Sequence, residues 1–179
     1  SNVALGAFAL DANTTASNNT AVGTSSLGSN TTGSENTAIG RVALVANTTG
    51  ADNVALGYLG LTANTTGSNN VAIGKDALDS NTTASNNVAV GGDALQANVL
   101  GAESVAIGTF ALNAQNPASA TNMYNVAVGH NSGASVTTGI RNTLIGSRTG
   151  DALTDADYNV ALGYNALASD TLGSTSTAI

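Results

Sequence analysis

Residues 64–74 run Asn64-Thr65-Thr66-Gly67-Ser68-Asn69-Asn70-Val71-Ala72-Ile73-Gly74, and this plan recurs along the whole chain. A turn-forming Asn-Thr-Thr-Gly is followed by an Asn-led apolar triplet that stops at a glycine. The closing glycine recurs at Gly6, Gly23, Gly40, Gly57, Gly74, Gly91 and Gly108, then at Gly129, Gly146 and Gly163. The interval between these glycines is constant except from Gly108 to Gly129, where the chain takes a longer step. Four residues past the glycine stands a leucine: Leu10, Leu27, Leu44, Leu61, Leu78, Leu95, Leu112 and Leu167. Self-similarity at a fixed short period marks a solenoid, in which one coil is stacked many times.

So short a period, with a turn signal, a strand-end glycine and β-branched positions, leaves no room for a stable helix. Two short strands per coil joined by tight turns fit better, and equivalent strands in successive coils would pair in parallel. The expected fold is all-β: a parallel β-solenoid, or β-roll, of about 17-residue coils. The Asn-Thr-Thr-Gly order favours a type I turn, with a positive φ preferred at its glycine. Stacked asparagines are expected to form amide ladders that stiffen the rod.

Alternate strand residues face opposite sides. The outer pair of each triplet, Val or Thr and then Leu, Ile or Val, is expected to point inward beside the leucine. The middle residue would then form a small-residue stripe along the rod, read as the seam against identical chains. It comprises Ala4, Ala21, Ala38, Ala55, Ala72, Ala89, Ala106, Ala127, Leu144, Ala161 and Ala178.

Composition agrees with a repeat protein and excludes several classes. The 179 residues include 8% charged and 3% aromatic side chains, one proline and no cysteine. Much of the apolar content is alanine, too small to build a conventional core. The net charge of −7 argues against nucleic acid as a partner, because phosphate binding needs clustered Lys and Arg. The absence of cysteine removes disulfide and zinc-thiolate chemistry. No apolar run approaches the roughly 20 residues of a membrane-spanning helix, so membrane insertion is not expected of this segment.

The tandem Asn/Ser-Val-Ala-Ile-Gly motif resembles the head repeats of trimeric autotransporter adhesins of the YadA type. The longer version at Asn64 to Gly74 is similar to repeats in phage tail fibres, and the longer period leans that way, since adhesin heads usually have shorter coils. The resemblance covers essentially the whole chain. It implies a left-handed β-roll and a homotrimeric rod. It also implies an extracellular place in an attachment fibre on a virion or bacterial surface, with a host-surface glycan or protein as receptor. Residues 1–179 are read accordingly as one repeat segment of a longer chain. No catalytic residue is carried over from either family.

Departures from the repeat mark candidate recognition positions. Four extra residues fall within 113–124, a stretch that holds the only proline, Pro117, and the only methionine, Met123. Insertions in solenoids emerge as loops over one face, often the binding face. Asn113, Pro117, Met123 and Tyr124, with His130, Arg141 and Arg148 from the next coils, form the candidate recognition loop. Arg148 and Arg141 are also expected to offset Asp151, Asp155 and Asp157. Asp155, Asp157 and Asn159 begin like a calcium loop, but Val160 and Ala166 replace its glycine and glutamate. No metal, cofactor or catalytic residue is assigned, and an enzyme is not expected. An ice-binding solenoid, prompted by the threonine pairs, and an extracellular filament subunit are the alternatives.

Overall fold

The computed structural model describes residues 1–179 as an all-β parallel solenoid with no helix. Its strands are β1 (Val3–Leu5), β2 (Thr20–Val22), β3 (Thr37–Ile39), β4 (Val54–Leu56), β5 (Val71–Ile73) and β6 (Val88–Val90). They continue as β7 (Gly101–Ala102), β8 (Val105–Ile107), β9 (Thr121–Asn122) and β10 (Val126–Val128). The last are β11 (Thr143–Ile145), β12 (Val160–Leu162) and β13 (Thr177–Ala178). All except β7 and β9 form one 11-stranded parallel sheet in chain order. Its register is that of the repeat: Val71, Ala72 and Ile73 lie beside Val88, Ala89 and Val90.

One strand per coil is regular, where two were expected. The rest of each coil is successive turns, and these also stack. Only 21 of 111 backbone hydrogen bonds lie within strands, so bonding from coil to coil continues around the section. The corners use left-handed backbone at three places per coil, for example Asp76 (φ 56°), Leu78 (φ 51°) and Asn86 (φ 62°). Such a conformation costs a non-glycine residue about 1–3 kcal/mol and persists where its surroundings enforce it. Leu78 is fully buried, and burial of a leucine contributes about 1.5–3 kcal/mol in return.

The side-chain faces are the reverse of the sequence expectation. Ala21, Ala38, Ala55, Ala72, Ala89, Ala106, Ala127, Leu144 and Ala161 lie inside the roll, 0–1% exposed, within the hydrophobic core. They cannot meet another chain. Only Ala4 and Ala178, in the end coils, keep some exposure. The reason is the narrowness of the coil. The leucine column and two columns of asparagine already fill its interior, leaving a methyl's width beneath the strand. The larger Val, Thr, Ile and Leu side chains therefore point outward.

Both asparagine columns form ladders. Before the strand, Asn53 Oδ1 accepts from the Asn70 backbone N–H at 3.0 Å, while Asn70 Nδ2 donates to the Ala84 carbonyl at 2.9 Å. At the turn, Asn64 Nδ2 donates to Asn47 Oδ1 at 2.9 Å and to the Gly67 carbonyl at 3.0 Å. These amides are fully buried, and their bonding satisfies groups that would otherwise destabilise the interior. One acceptor, Asn81 Oδ1, lacks a partner. There the next rung, Asn98, bonds Gly101 and Gln115 instead. Gln115, one methylene longer than the asparagine it replaces, reaches Asn98, Ser104 and Asn125 and ties the two ladders together beside the insertion.

Two coils after the insertion use a different core. Gly133 (φ 59°) and Gly150 (φ 57°) take the place of the left-handed leucine, and Val136 and Leu153 replace the turn asparagine. Leu144 fills the space: a Cβ built on Gly133 or Gly150 would lie 2.8 or 2.9 Å from its methyls. The exception in the alanine column is thus the compensation for two missing leucines.

The closing glycines are required by geometry. Gly74 has φ +136°, and a Cβ there would lie 2.5 Å from the Gly91 carbonyl oxygen. The turn glycines Gly33, Gly50 and Gly67 have no positive φ, contrary to expectation. That agrees with alanine at the equivalent positions 16 and 84.

Candidate functional site

Inward residues alternate with outward ones, so each coil presents a fixed set of outward columns. Within the strand these are the first and third positions. The third-position column includes Ile39, Ile73, Ile107, Ile145 and Leu162, which are 38–47% exposed. Beside it runs the half-buried column Val54, Val71, Val88, Val105 and Val126, with Thr20, Thr37 and Thr143. Eleven strands at about 4.8 Å make this apolar strip roughly 48 Å long and 10 Å wide. A strip of this size is comparable to the largest apolar patch of a typical monomer, and such patches are often functional.

A corner column flanks the strip on each side. Two residues before the strand stand Asn18, Glu35, Asp52, Asn69, Asn86, Glu103, Tyr124, Arg141, Tyr158 and Thr175. Just after the closing glycine stand Ala7, Thr24, Arg41, Tyr58, Lys75, Gly92, Thr109, His130, Ser147 and Tyr164. Neighbours in a column are residues one coil apart, so they stack. Arg41 lies over the Tyr58 ring at 5.4 Å. Arg141 lies between two rings, 5.5 Å from Tyr124 and 5.3 Å from Tyr158, and its Nη1 donates to the Tyr158 hydroxyl.

The predicted recognition residues separate into inside and outside. Met123 is fully buried and Pro117 is buried as well, so neither can meet a receptor. The insertion brings Met123 inward against Gly101, where β7 pairs with β9. Asn113 is half-buried and donates to the Asp93 carbonyl at 2.9 Å. What the insertion exposes is Asn116, Ala118, Ser119, Ala120 and Asn122. Tyr124 is 45% exposed. His130 is exposed and meets Phe110 edge to face, ring centres 6.4 Å apart. Arg148 pairs with Asp151 at 3.1 Å, as expected, whereas Arg141 sits on tyrosines and has no carboxylate within bridging distance.

Other sequence signals are absorbed by the framework. Asn159 is a buried ladder rung, and Asp157 Oδ1 accepts from the Ile140 N–H at 2.7 Å, so the calcium-like triplet is already engaged. The hydroxyls of Thr31, Thr48 and Thr65 donate to carbonyls of the next coil, whereas the second threonine of each pair, at Thr15, Thr32, Thr49, Thr66 and Thr83, is exposed and makes no side-chain hydrogen bond. Asn30, Asn47, Asn64 and Asn81, each the first residue of an Asn-x-Ser/Thr triplet, are fully buried in the turn ladder. Asp79 is pushed above the ordinary carboxylate range by burial first and by nearby Asp76 second. The exposed Lys75 is held above its usual range by its hydrogen bond to Asp76.

Sequence reasoning missed the apolar strip as a surface and the Tyr124–Arg141–Tyr158 stack as a unit. The signal for the stack was present: the three residues occupy the same position of three successive coils. Comparisons with family models, curated proteins and solved structures find no match to this chain. No helix is long and apolar enough to cross a membrane.

Proposed function

We propose that this chain is the shaft and presenting segment of a three-chain surface fibre, a rigid rod that holds an attachment site away from a virion or bacterial cell. The observation that carries the reading is the continuous Val/Thr and Ile/Leu/Val strip. Its area is roughly 500 Å², and the flanking columns double that. Shared between two neighbours in a three-chain rod, the sum gives about 500 Å² per side, or about 1,000 Å² buried per pair of chains, the lower bound for a specific interface. The stripe that seals the chains is therefore Val71 and Ile73 with their equivalents, in place of the alanines.

The charges are compatible with a parallel arrangement in register. Rotation about the rod axis sets the column before the strand of one copy beside the column after the glycine of the next, at the same coil. Glu35 then meets Arg41, Asn69 meets Lys75, and Tyr158 meets Tyr164, with no like charges opposed. An antiparallel pairing at full overlap would set the same column against its own copy reversed, with Glu35 opposite Arg141, Asp52 opposite Tyr124 and Glu103 opposite Asn69, so charge does not separate the two arrangements.

Light scattering on the purified chain should give about three times 17.4 kDa, and the double variant Ile73→Lys, Ile107→Lys should give a folded monomer. A folded wild-type monomer would overturn the fibre reading. Strong inhibition of ice recrystallisation by that monomer would favour the ice-binding alternative instead.

A further inference from the structure

The Tyr124–Arg141–Tyr158 stack holds a cation between two rings and leaves it chemically free. In a chain of net charge −7, Lys75 is bridged to Asp76 and Arg148 to Asp151. Arg141 has no acidic partner, and its only side-chain hydrogen bond is to the Tyr158 hydroxyl. The other N–H donors of its fork have no protein partner. Two rings flank the guanidinium, and Tyr124 is itself held by Asn122 Nδ2, which donates to its hydroxyl at 3.1 Å. All three side chains project from left-handed corners (φ 53°, 58° and 59°) onto solvent. The exposed insertion residues 118–120 precede Tyr124 in the chain.

We infer that this stack is a binding site for a carboxylated saccharide, of the sialic or uronic acid class. A planar guanidinium fork matches a carboxylate with two parallel hydrogen bonds. Exposed tyrosine rings on either side, about two coil spacings apart (~10 Å), offer flat apolar faces and hydroxyl edges to a pyranose. Arg41 offers less, since it rests on a single ring. Holding Arg141 in place before a ligand arrives lowers the ordering cost of binding. The site rests on the adhesive part of the proposed function, and in a three-chain rod it lies at the rim of the seam, where Tyr124, Arg141 and Tyr158 border the column of His130, Ser147 and Tyr164 on the next chain.

The test is an NMR titration of the wild-type chain with 3′-sialyllactose and with trigalacturonate, using lactose as the neutral control. At least one acidic probe should bind, and lactose should bind at least tenfold more weakly. Arg141→Gln should weaken the acidic probe tenfold or more, and Arg141→Lys several-fold, because lysine keeps the charge and loses the fork. Arg148→Gln should leave binding unchanged. Circular dichroism of Arg141→Gln should match wild type, and light scattering on the same samples reports chain number separately. Failure of both acidic probes to bind would overturn the site, as would equal binding of lactose or an equal loss in Arg148→Gln.

Discussion

Gly74 and Asp79 show how one residue's chemistry is fixed by its close neighbours in the stack. At Gly74, alanine would face both the positive φ of +136° and the Gly91 carbonyl 2.5 Å away. Gly74→Ala should therefore lower stability by about 2–4 kcal/mol, measurable as a shifted denaturant midpoint. Asp79 behaves oppositely. Its folded-state pKa is raised by partial burial and by Asp76, so its ionised form opposes folding at neutral pH. Stability then increases as pH falls through the raised value towards the unfolded one. Asp79→Asn should raise the melting temperature at pH 7 and lose that advantage below the ordinary carboxylate range. The group is half-exposed, so the gain should be under about 1 kcal/mol. A lower melting temperature at pH 7 would contradict the sign.

The strand and its opposing core column form the next scale. Leu144 fills the room left by Gly133 and Gly150, so Leu144→Ala should cost about 2–5 kcal/mol through an unfilled cavity. The mirror change, Ala72→Leu, should destabilise by about 1–3 kcal/mol, because Leu61 and Leu78 already occupy that space. Thermal melts of both variants check the pair, and a neutral result for either would contradict this packing. The sequence made the coil length, the parallel pairing, the closing glycines and the amide ladders legible, since each is written as a residue type at a fixed interval. The inward face was not legible. Alternation in Val71-Ala72-Ile73 shows that the two sides differ, but the rule that larger apolar groups go inside fails where the backbone walls leave only a methyl's width. The left-handed leucines were equally hidden, because nothing in leucine's own preferences points to a positive φ.

At the scale of the molecule, each coil touches mainly its neighbours, so stability is a sum over coils and their interfaces. Removing residues 58–74 joins Gly57 to Lys75 one coil shorter with every column intact. That variant should keep its circular dichroism per residue and melt only a few degrees lower. Removing residues 58–65 alone leaves half a coil and should abolish the cooperative transition. Equal behaviour of the two deletions would refute the stacked-coil account. The candidate saccharide site was only partly legible for a related reason: Tyr124, Arg141 and Tyr158 are distant in sequence, while Met123 and Pro117, adjacent to the conspicuous insertion, are buried by the same coil that projects Tyr124.

The corner columns carry one further consequence. Their letters are written once per coil, so any pattern met by an approaching molecule is spelled with a stride of one whole repeat and never as a run of consecutive residues. An antibody raised against an unfolded peptide such as 118–128 would see one corner letter of the stack and miss the others. An antibody raised against the folded rod would read downward, across Tyr124, Arg141 and Tyr158, and would lose its target on denaturation. New surface words can be composed by substituting one corner residue per coil, with the ladders and core beneath them left untouched.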